Sequence, residues 1–352
     1  MTVSAEPIDV LILTGGQGAE HDVSLASAAS VTAHLDPARY RQTAVTLGRD
    51  GRWYDDTGDA FLHQVEDVVR LMRRADVVFP LIHGRTGEDG TLAALLDLSG
   101  TPYVGSGVRA GAVAMDKHLT KLLAVDAGIS VAPGVLVDSD REGARLPDGH
   151  GLRPPLFVKP NREGSSYGVT RVSAWHELAE AIDVAARFDR HVLVEEQIRG
   201  REVDIAVFTT HDGERRISPP LEILVGSAEF FDTAEKYDGG ATFVVPAPLP
   251  VGAAARLREH ADRLYRLLGC AGVARFDFFL AGEELVLNEV NTAPGLTAAS
   301  QVPRMFAADG LPYSALLDAL IDAAMPWPTS STPVLTSADV RPYPMVPIRG
   351  TR

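Results

Sequence analysis

Cysteine is almost absent from this 352-residue chain: Cys270 stands alone, so no internal disulfide can form and no thiolate zinc or iron–sulfur site can be assembled. Lysine is nearly as scarce. Only Lys117, Lys121, Lys159 and Lys236 are lysines among 33 basic residues, so the surface cations are arginines and a lysine marks a position with another purpose. Positive charge in bulk is lacking too, because 47 acidic residues leave a formal charge of −14. An acidic surface repels phosphodiester backbones and anionic headgroups, which argues against nucleic acid and membranes as partners. No apolar run approaches the ~20 residues that cross a bilayer, and the opening MTVSAEPIDV lacks the basic and apolar blocks of a secretory signal. The cytoplasm is the expected compartment. What is present, 45% hydrophobic and 23% charged residues, describes an ordinary globular protein. At roughly 150 residues per domain the length asks for two or three domains.

The chain opens with a buried strand, DVLILT (9–14), a glycine turn, and a helix from Asp22 to Leu35 with Leu25, Ala28, Val31 and Leu35 at helical spacing. A second strand, Val77–Ile82, leads through the loop His83–Gly90 to a helix over Thr91–Leu98, with Asp89 as its expected N-cap and Gly100 as its stop. Strands alternating with helices through short glycine loops indicate a parallel α/β unit over residues 1–110. A helix from Asp116 with Leu119, Leu122 and Leu123 as its apolar face then begins an α+β unit over 111–206, with strands near 134–137, 156–159, 192–196 and 203–208. A third unit, 207–325, holds a loop at 226–246, a helix over 252–268, two strands and a closing helix at Tyr313–Ala324. Residues 326–352 are proline-rich without period and read as an extended tail.

Gly16-x-Gly18-x-x-His21 carries histidine where a dinucleotide-binding turn needs a small residue, and no Gly-Lys-Ser/Thr occurs anywhere. Both common phosphate loops are therefore missing. Glu20 sits at a helix start beyond a strand's carboxyl end, where open α/β sheets bind ligands, although a helix dipole also favours a carboxylate there. His83 either pairs with a substrate carboxylate or is a hydrogen-bonded loop histidine. Lys159 ends a buried strand and precedes Gly164-Ser165-Ser166, whose N–H groups and hydroxyls can cradle phosphate oxygens. A lysine delivered from the interior needs an anion. The richest cluster is Arg275 and Asp277 on one face of a strand, with Glu289 and Asn291 on one face of the next. With three turn residues left unpaired around Gly282 and Glu283, Asp277 lies opposite Glu289, and Arg275 opposite Asn291. Two carboxylates and an amide oxygen form a hard-oxygen set suited to Mg²⁺ bound with phosphates; the alternative is a buried Arg–Asp salt bridge.

Eight motifs in order carry a resemblance: Glu20-His-Asp-Val-Ser24, His83-Gly-x-x-Gly-Glu-Asp-Gly90, Met115-Asp-Lys117, Lys159 to Gly168, Glu195 to Glu202, Glu235-Lys-Tyr237, Arg275 to Phe279, and Asn288-Glu-Val-Asn-Thr-x-Pro-Gly295. The chain resembles the D-alanine:D-alanine ligases of the ATP-grasp superfamily from its first strand to about Ala324. That resemblance implies a three-domain ATP-grasp fold, α/β and α+β with an N-terminal parallel α/β domain. It also implies ATP-dependent formation of D-alanyl-D-alanine for peptidoglycan precursors, and a homodimer. On the matching positions, Lys117, Lys159, Ser166, Glu195, Glu196 and Glu202 would bind ATP. Asp277, Glu289 and Asn291 would hold two Mg²⁺ ions, for which Mn²⁺ could substitute. Glu20, with Ser165 and Tyr237, would hold the first D-alanine, while Arg275 and the Gly295 backbone stabilise the oxyanion. Lys236 and Ser300 would meet the second carboxylate, and a lid at 226–246 would carry Lys236 and Tyr237. Gln301 stands where these enzymes usually place an apolar residue, which raises D-serine as an alternative acceptor. A different ATP-grasp carboxylate–amine ligase and a noncatalytic nucleotide-binding regulator are the rival readings. Lys121 is the one lysine left without a role.

Overall fold

The structure is a computed structural model, and it describes residues 6–55, 61–62, 65–140, 146, 150–224 and 242–325. The first strand, β1 (Ile8–Gly15), is followed by helix α1 (His21–His34), β2 (Tyr40–Leu47), β3 (Trp53–Asp55), β4 (Phe61–Leu62), α2 (Val65–Met72), β5 (Val77–Pro80) and α3 (Thr91–Ser99). These strands form a sheet in the order β4-β3-β2-β1-β5. As expected, β1 is parallel to its neighbours β2 and β5, and the buried apolar run Val10–Leu13 suits a strand covered on both faces. The outer pair departs from that pattern, since β3 and β4 add on antiparallel. Helix α3 stops at Gly100 in the left-handed region, but its N-cap is Gly90. Asp89 instead accepts from the Thr91 N–H at 2.9 Å, which corrects the expected cap.

Helices α4 (Val108–Met115) and α5 (Lys117–Asp126) lead to β6 (Ser130–Val131), β7 (Gly134–Asp138), β8 (Leu156–Pro160) and β9 (Thr170–Val172). Helix α6 (Leu178–Ala186) and strand β10 (His191–Glu196) follow, and β7-β10-β8-β9 make an antiparallel four-stranded sheet. The remaining strands are β11 (Arg201–Thr209), β12 (Arg215–Ile217), β13 (Leu221–Leu224), β14 (Thr242–Val244), β15 (Val273–Ala281) and β16 (Glu284–Asn291), with helices α7 (Ala253–Leu268), α8 (Gln301–Ala308) and α9 (Tyr313–Ala324). They build a seven-stranded sheet in the order β14-β13-β11-β15-β16-β6, with β12 on β11.

Period-2 alternation splits β11 between two cores. Ile205 and Val207 pack with Phe276, Phe278 and the α7 residues Leu257 and Leu264; Ala206 and Phe208 pack with Phe306 and Leu317 against Val10, Ile12 and Phe79 of the first sheet. The second of these cores joins the first sheet to the large one, and it leaves the loops after β1, β5, β8 and β16 to converge.

One sequence expectation fails at α5. Leu119 and Leu122 are 45% and 54% exposed, and the buried side chains of the helix are Lys117, Thr120, Lys121 and Ala124. The reason is electrostatic: carboxylates on neighbouring strands receive both lysines, as described below. Leu25 of α1 is likewise exposed, while Ala28, Val31 and Leu35 are buried as expected. The lid residues Lys236 and Tyr237, and the tail, lie outside the described residues.

Candidate active site

The turn after β1 delivers Glu20. Glu20 occupies the N-cap position of α1, yet its side chain makes no cap bond; its Oε1 accepts from the hydroxyl of Ser165, 145 residues away. The helix-cap alternative is thereby answered, because the carboxylate faces across the site. Two glycines make room for it. A Cβ on Gly84 would lie 2.3 Å from Glu20 Oε2, and one on Gly164 would lie 3.0 Å from the same atom. Ser165 and Ser166 both adopt left-handed backbone, with φ of 49° and 60°. For non-glycine residues this costs of order 1 kcal/mol each, the kind of strain that concentrates at ligand-holding loops.

His83 is buried, and both ring nitrogens are engaged: Nε2 with Ser27 Oγ at 2.9 Å and Nδ1 with the Ala293 carbonyl at 2.8 Å. Burial lowers its pKa despite the nearby Glu20, which favours the neutral ring. The hydrogen bonds that the loop-histidine reading calls for are present, and the ring stands near Glu20. Its neighbour Glu88, which the motif contained but no role was attached to, accepts from Gly84 N–H at 2.9 Å and Ala293 N–H at 3.4 Å. Burial, then Glu20, push its carboxyl up to about 8.

On the large sheet, Asp277 lies opposite Glu289 and Arg275 opposite Asn291, as the sequence suggested. The route differs. The turn is the two-residue Gly282-Glu283, with Gly282 at φ 64°, and the pairing regains its alignment at a register shift where Asn288 has no partner. Without that bulge Asp277 would face Asn288. Arg275 donates to both oxygens of Asp277 at 2.7 and 2.8 Å, and Asn291 Nδ2 donates to Asp277 at 3.0 Å. The buried Arg–Asp salt bridge thus exists alongside the oxygen set. Burial opposes the charge on Arg275, but Asp277, Asp204 and Glu289 outweigh it and raise its pKa. Asp204, almost wholly buried on β11, lies opposite Asp277 and 3.7 Å from Arg275. Three carboxylates therefore line up across β11, β15 and β16. A lone acid in the apolar run VDIAVF was the available signal for Asp204, and the sequence reading passed over it.

Lys117 Nζ donates to the Glu163 carbonyl at 2.6 Å and sits 3.5 Å from Glu289. Lys159 meets Glu195 at 2.7 Å, and Lys121 takes the other oxygen of that carboxylate. Burial alone would raise Glu195; the two ammonium groups hold it at about 2. Glu196 accepts from Arg153 N–H at 2.8 Å, while Glu202 lies on β11 opposite Phe279. Ser300 forms the N-cap of α8, its Oγ bonded to Thr297, and a Cβ on Gly295 would stand 3.5 Å from it. Gln301 is turned inward, donating to Asp204 at 2.8 Å.

Residues 9–106 match the D-ala D-ala ligase N-terminus family model, and residues 125–322 match the D-ala D-ala ligase C-terminus model. The chain belongs to the D-alanine–D-alanine ligase family. A D-alanine–D-alanine ligase of Corynebacterium aurimucosum is 40% identical to this ligase over 91% of the chain and 98% of the relative. Among solved structures, the VanG D-Ala:D-Ser ligase of Enterococcus faecalis has a TM-score of 0.77 at 34% identity, covering 91% of this chain and all of that one. A Bacillus anthracis D-alanine–D-alanine ligase complexed with ATP has a TM-score of 0.75 at 28% identity, over 90% and 97%. The fold of this ligase is accordingly the ATP-grasp arrangement of parallel and antiparallel sheets, and among the described residues no helix is long and apolar enough to cross a membrane.

Proposed function

We propose that this ligase joins two D-alanines at the expense of ATP, through an acyl phosphate, in the cytoplasm and as a homodimer, for peptidoglycan precursor synthesis. The register of β15 on β16 supports the reading most: it gathers Arg275, Asp277, Glu289 and Asn291 on one face, with Lys117 beside Glu289. The first unit (1–110) supplies the first D-alanine site, and 111–206 and 207–325 hold ATP between them, with β11 running across their boundary.

A carboxylate resists amines because its leaving group would be an oxide; phosphorylation by ATP supplies a better one. In our assignment Lys117 and Lys159 balance the phosphate charge, Ser166 closes over the phosphates, and Glu195, Glu196 and Glu202 surround the nucleoside. Asp277, Glu289 and Asn291 fit Mg²⁺, since the donors are all oxygens and Asn291 turns its N–H, not its carbonyl, to Asp277. Two such ions, or Mn²⁺, would neutralise the phosphoryl charge when bound. Glu20, held by Ser165 and joined by Tyr237, takes the ammonium of the first D-alanine. Arg275 and the Gly295 N–H receive the oxyanion. Lys236 and Ser300 take the second carboxylate, and the 226–246 segment excludes water from the acyl phosphate.

Phosphate release should require ATP, a divalent cation and D-alanine together, measured against a panel of D-amino acid pairs. Folded protein that releases phosphate with none of the pairs overturns the assignment. Gly84→Ala tests the Glu20 cradle separately: displacing the carboxylate by about an ångström should lower kcat/KM for the first D-alanine roughly 10²-fold while the KM for ATP stays near normal. Equal losses for both substrates would speak against a local role.

A second acceptor has a specific observation behind it. The Gln301 amide next to Ser300 is held by Asp204 through its N–H, which turns its carbonyl into a fixed acceptor for a serine hydroxyl. D-alanine remains the principal acceptor and D-serine is tolerated. Gln301→Leu should shift the D-Ser/D-Ala ratio of kcat/KM about fivefold, the worth of one hydrogen bond of ~1 kcal/mol; an unchanged ratio retires the idea.

A further inference from the structure

Lys121 is the lysine for which neither motif nor charge pattern supplied a role. It is four residues after Lys117 on α5, so both project from the same face, and that face is turned inward. On β10, Glu195 is two residues from Leu193, which pairs with Lys159 of β8; Glu195 and Lys159 are therefore diagonal neighbours on one face of the four-stranded sheet. Lys121 comes from a helix packed on β16 and β6 of the large sheet, reaching the same carboxylate from the opposite wall. All three residues are buried, and each oxygen of Glu195 faces one ammonium.

Two cations on one buried carboxylate leave one positive charge uncompensated in low dielectric. An anion arriving at Lys159 resolves the excess, provided Lys159 can leave its share of Glu195 without stranding that carboxylate. Lys121 makes this possible.

We propose that Lys121 is a positioning residue for nucleotide binding: it holds Glu195 permanently, so that Lys159 is free to turn its ammonium to a phosphate. This rests on the ATP reading above. With Lys121 removed, Glu195 keeps Lys159 as its sole counterion among the described residues, and ATP must compete with a buried ion pair. Burial lowers the Lys121 ammonium to about 8, against the pull of Glu195 and with the push of Lys159 and Lys117. Those are the charged groups facing it from β10, β8 and its own helix, and Glu289 of β16 is spent on Lys117.

The test is direct titration of ATP with Mg²⁺ into wild type, Lys121→Met, Glu195→Gln and the double variant. Lys121→Met should weaken ATP by about tenfold or more, the scale of one charge-assisted hydrogen bond, with kcat at saturating ATP changed much less. The decisive arm is the double variant. With no carboxylate left to trap Lys159, it should bind ATP no more weakly than Glu195→Gln alone, whereas a merely structural lysine would give losses that multiply. Multiplying losses, or a Lys121→Met affinity within twofold of wild type, overturn the proposal. Should Lys121→Met not fold, the pH dependence carries the test. Wild-type ATP affinity should fall between pH 7 and 9 as Lys121 loses its proton, and Lys121→Arg should flatten that fall; parallel profiles refute it. Wild type that does not bind ATP at all would refute the ATP reading itself, a different failure.

Discussion

Arg275→Met should sharply lower ligation and the melting temperature together. The guanidinium bridges both oxygens of Asp277 and lies 3.7 Å from Asp204. Both carboxylates are almost inaccessible to water, so removing their shared cation strands two buried negative charges. Breaking a buried pair in this way costs about 3–5 kcal/mol, and here two partners lose. At temperatures where the variant is folded, the loss of an oxyanion donor should still lower kcat by roughly 10²–10³-fold. Arg275→Lys separates the two effects. It restores the charge, hence much of the stability, but a single ammonium cannot reproduce the bidentate fork. Calorimetry with kcat measured well below each midpoint reads both quantities. Near-normal turnover in a folded Arg275→Met would remove Arg275 from the reaction.

Glu289→Gln should reduce turnover by at least ~10²-fold with little change in stability. The substitution preserves size, and Lys117, 3.5 Å from Glu289, retains the Glu163 carbonyl at 2.6 Å. What it takes away is a negative oxygen in the set proposed for Mg²⁺. Because amide oxygens bind hard cations more weakly than carboxylates, the residual activity should need a higher Mg²⁺ concentration, and chelation with EDTA should silence wild type and variant alike. Activity at wild-type level, with an unshifted Mg²⁺ dependence, would place the metal elsewhere.

Much of the site was legible because its chemistry sits in short runs. Glu20 lies in a turn between a strand and a helix. Ser165 and Ser166 follow a buried strand, and Arg275 and Asp277 share a strand face. Strand period alone puts Arg275 with Asp277 and Glu289 with Asn291, whatever the rest of the chain does. Their alignment across strands was inferred from a three-residue turn, whereas the chain makes a two-residue turn and a bulge at Asn288. Those two differences cancel, and no local pattern distinguishes the two solutions.

The order of strands and helices, the scarcity of lysine that marks Lys117 and Lys159, and the spacing of the oxygen donors can all be read along the chain. Those follow from backbone period and side-chain chemistry, which are local. Which face of α5 is buried depends on the packed chain. Periodicity shows which residues share a face and presumes that the apolar one turns inward; here Leu119 and Leu122 meet solvent, while Lys117 and Lys121 go inside to carboxylates far away in the chain. The same holds for His83, whose nitrogens are claimed by Ser27 and Ala293, and for Gln301, drawn inward by Asp204. A buried charge or hydrogen-bonding group is stable only where its partner stands, and partners brought from other strands are a property of the packed chain.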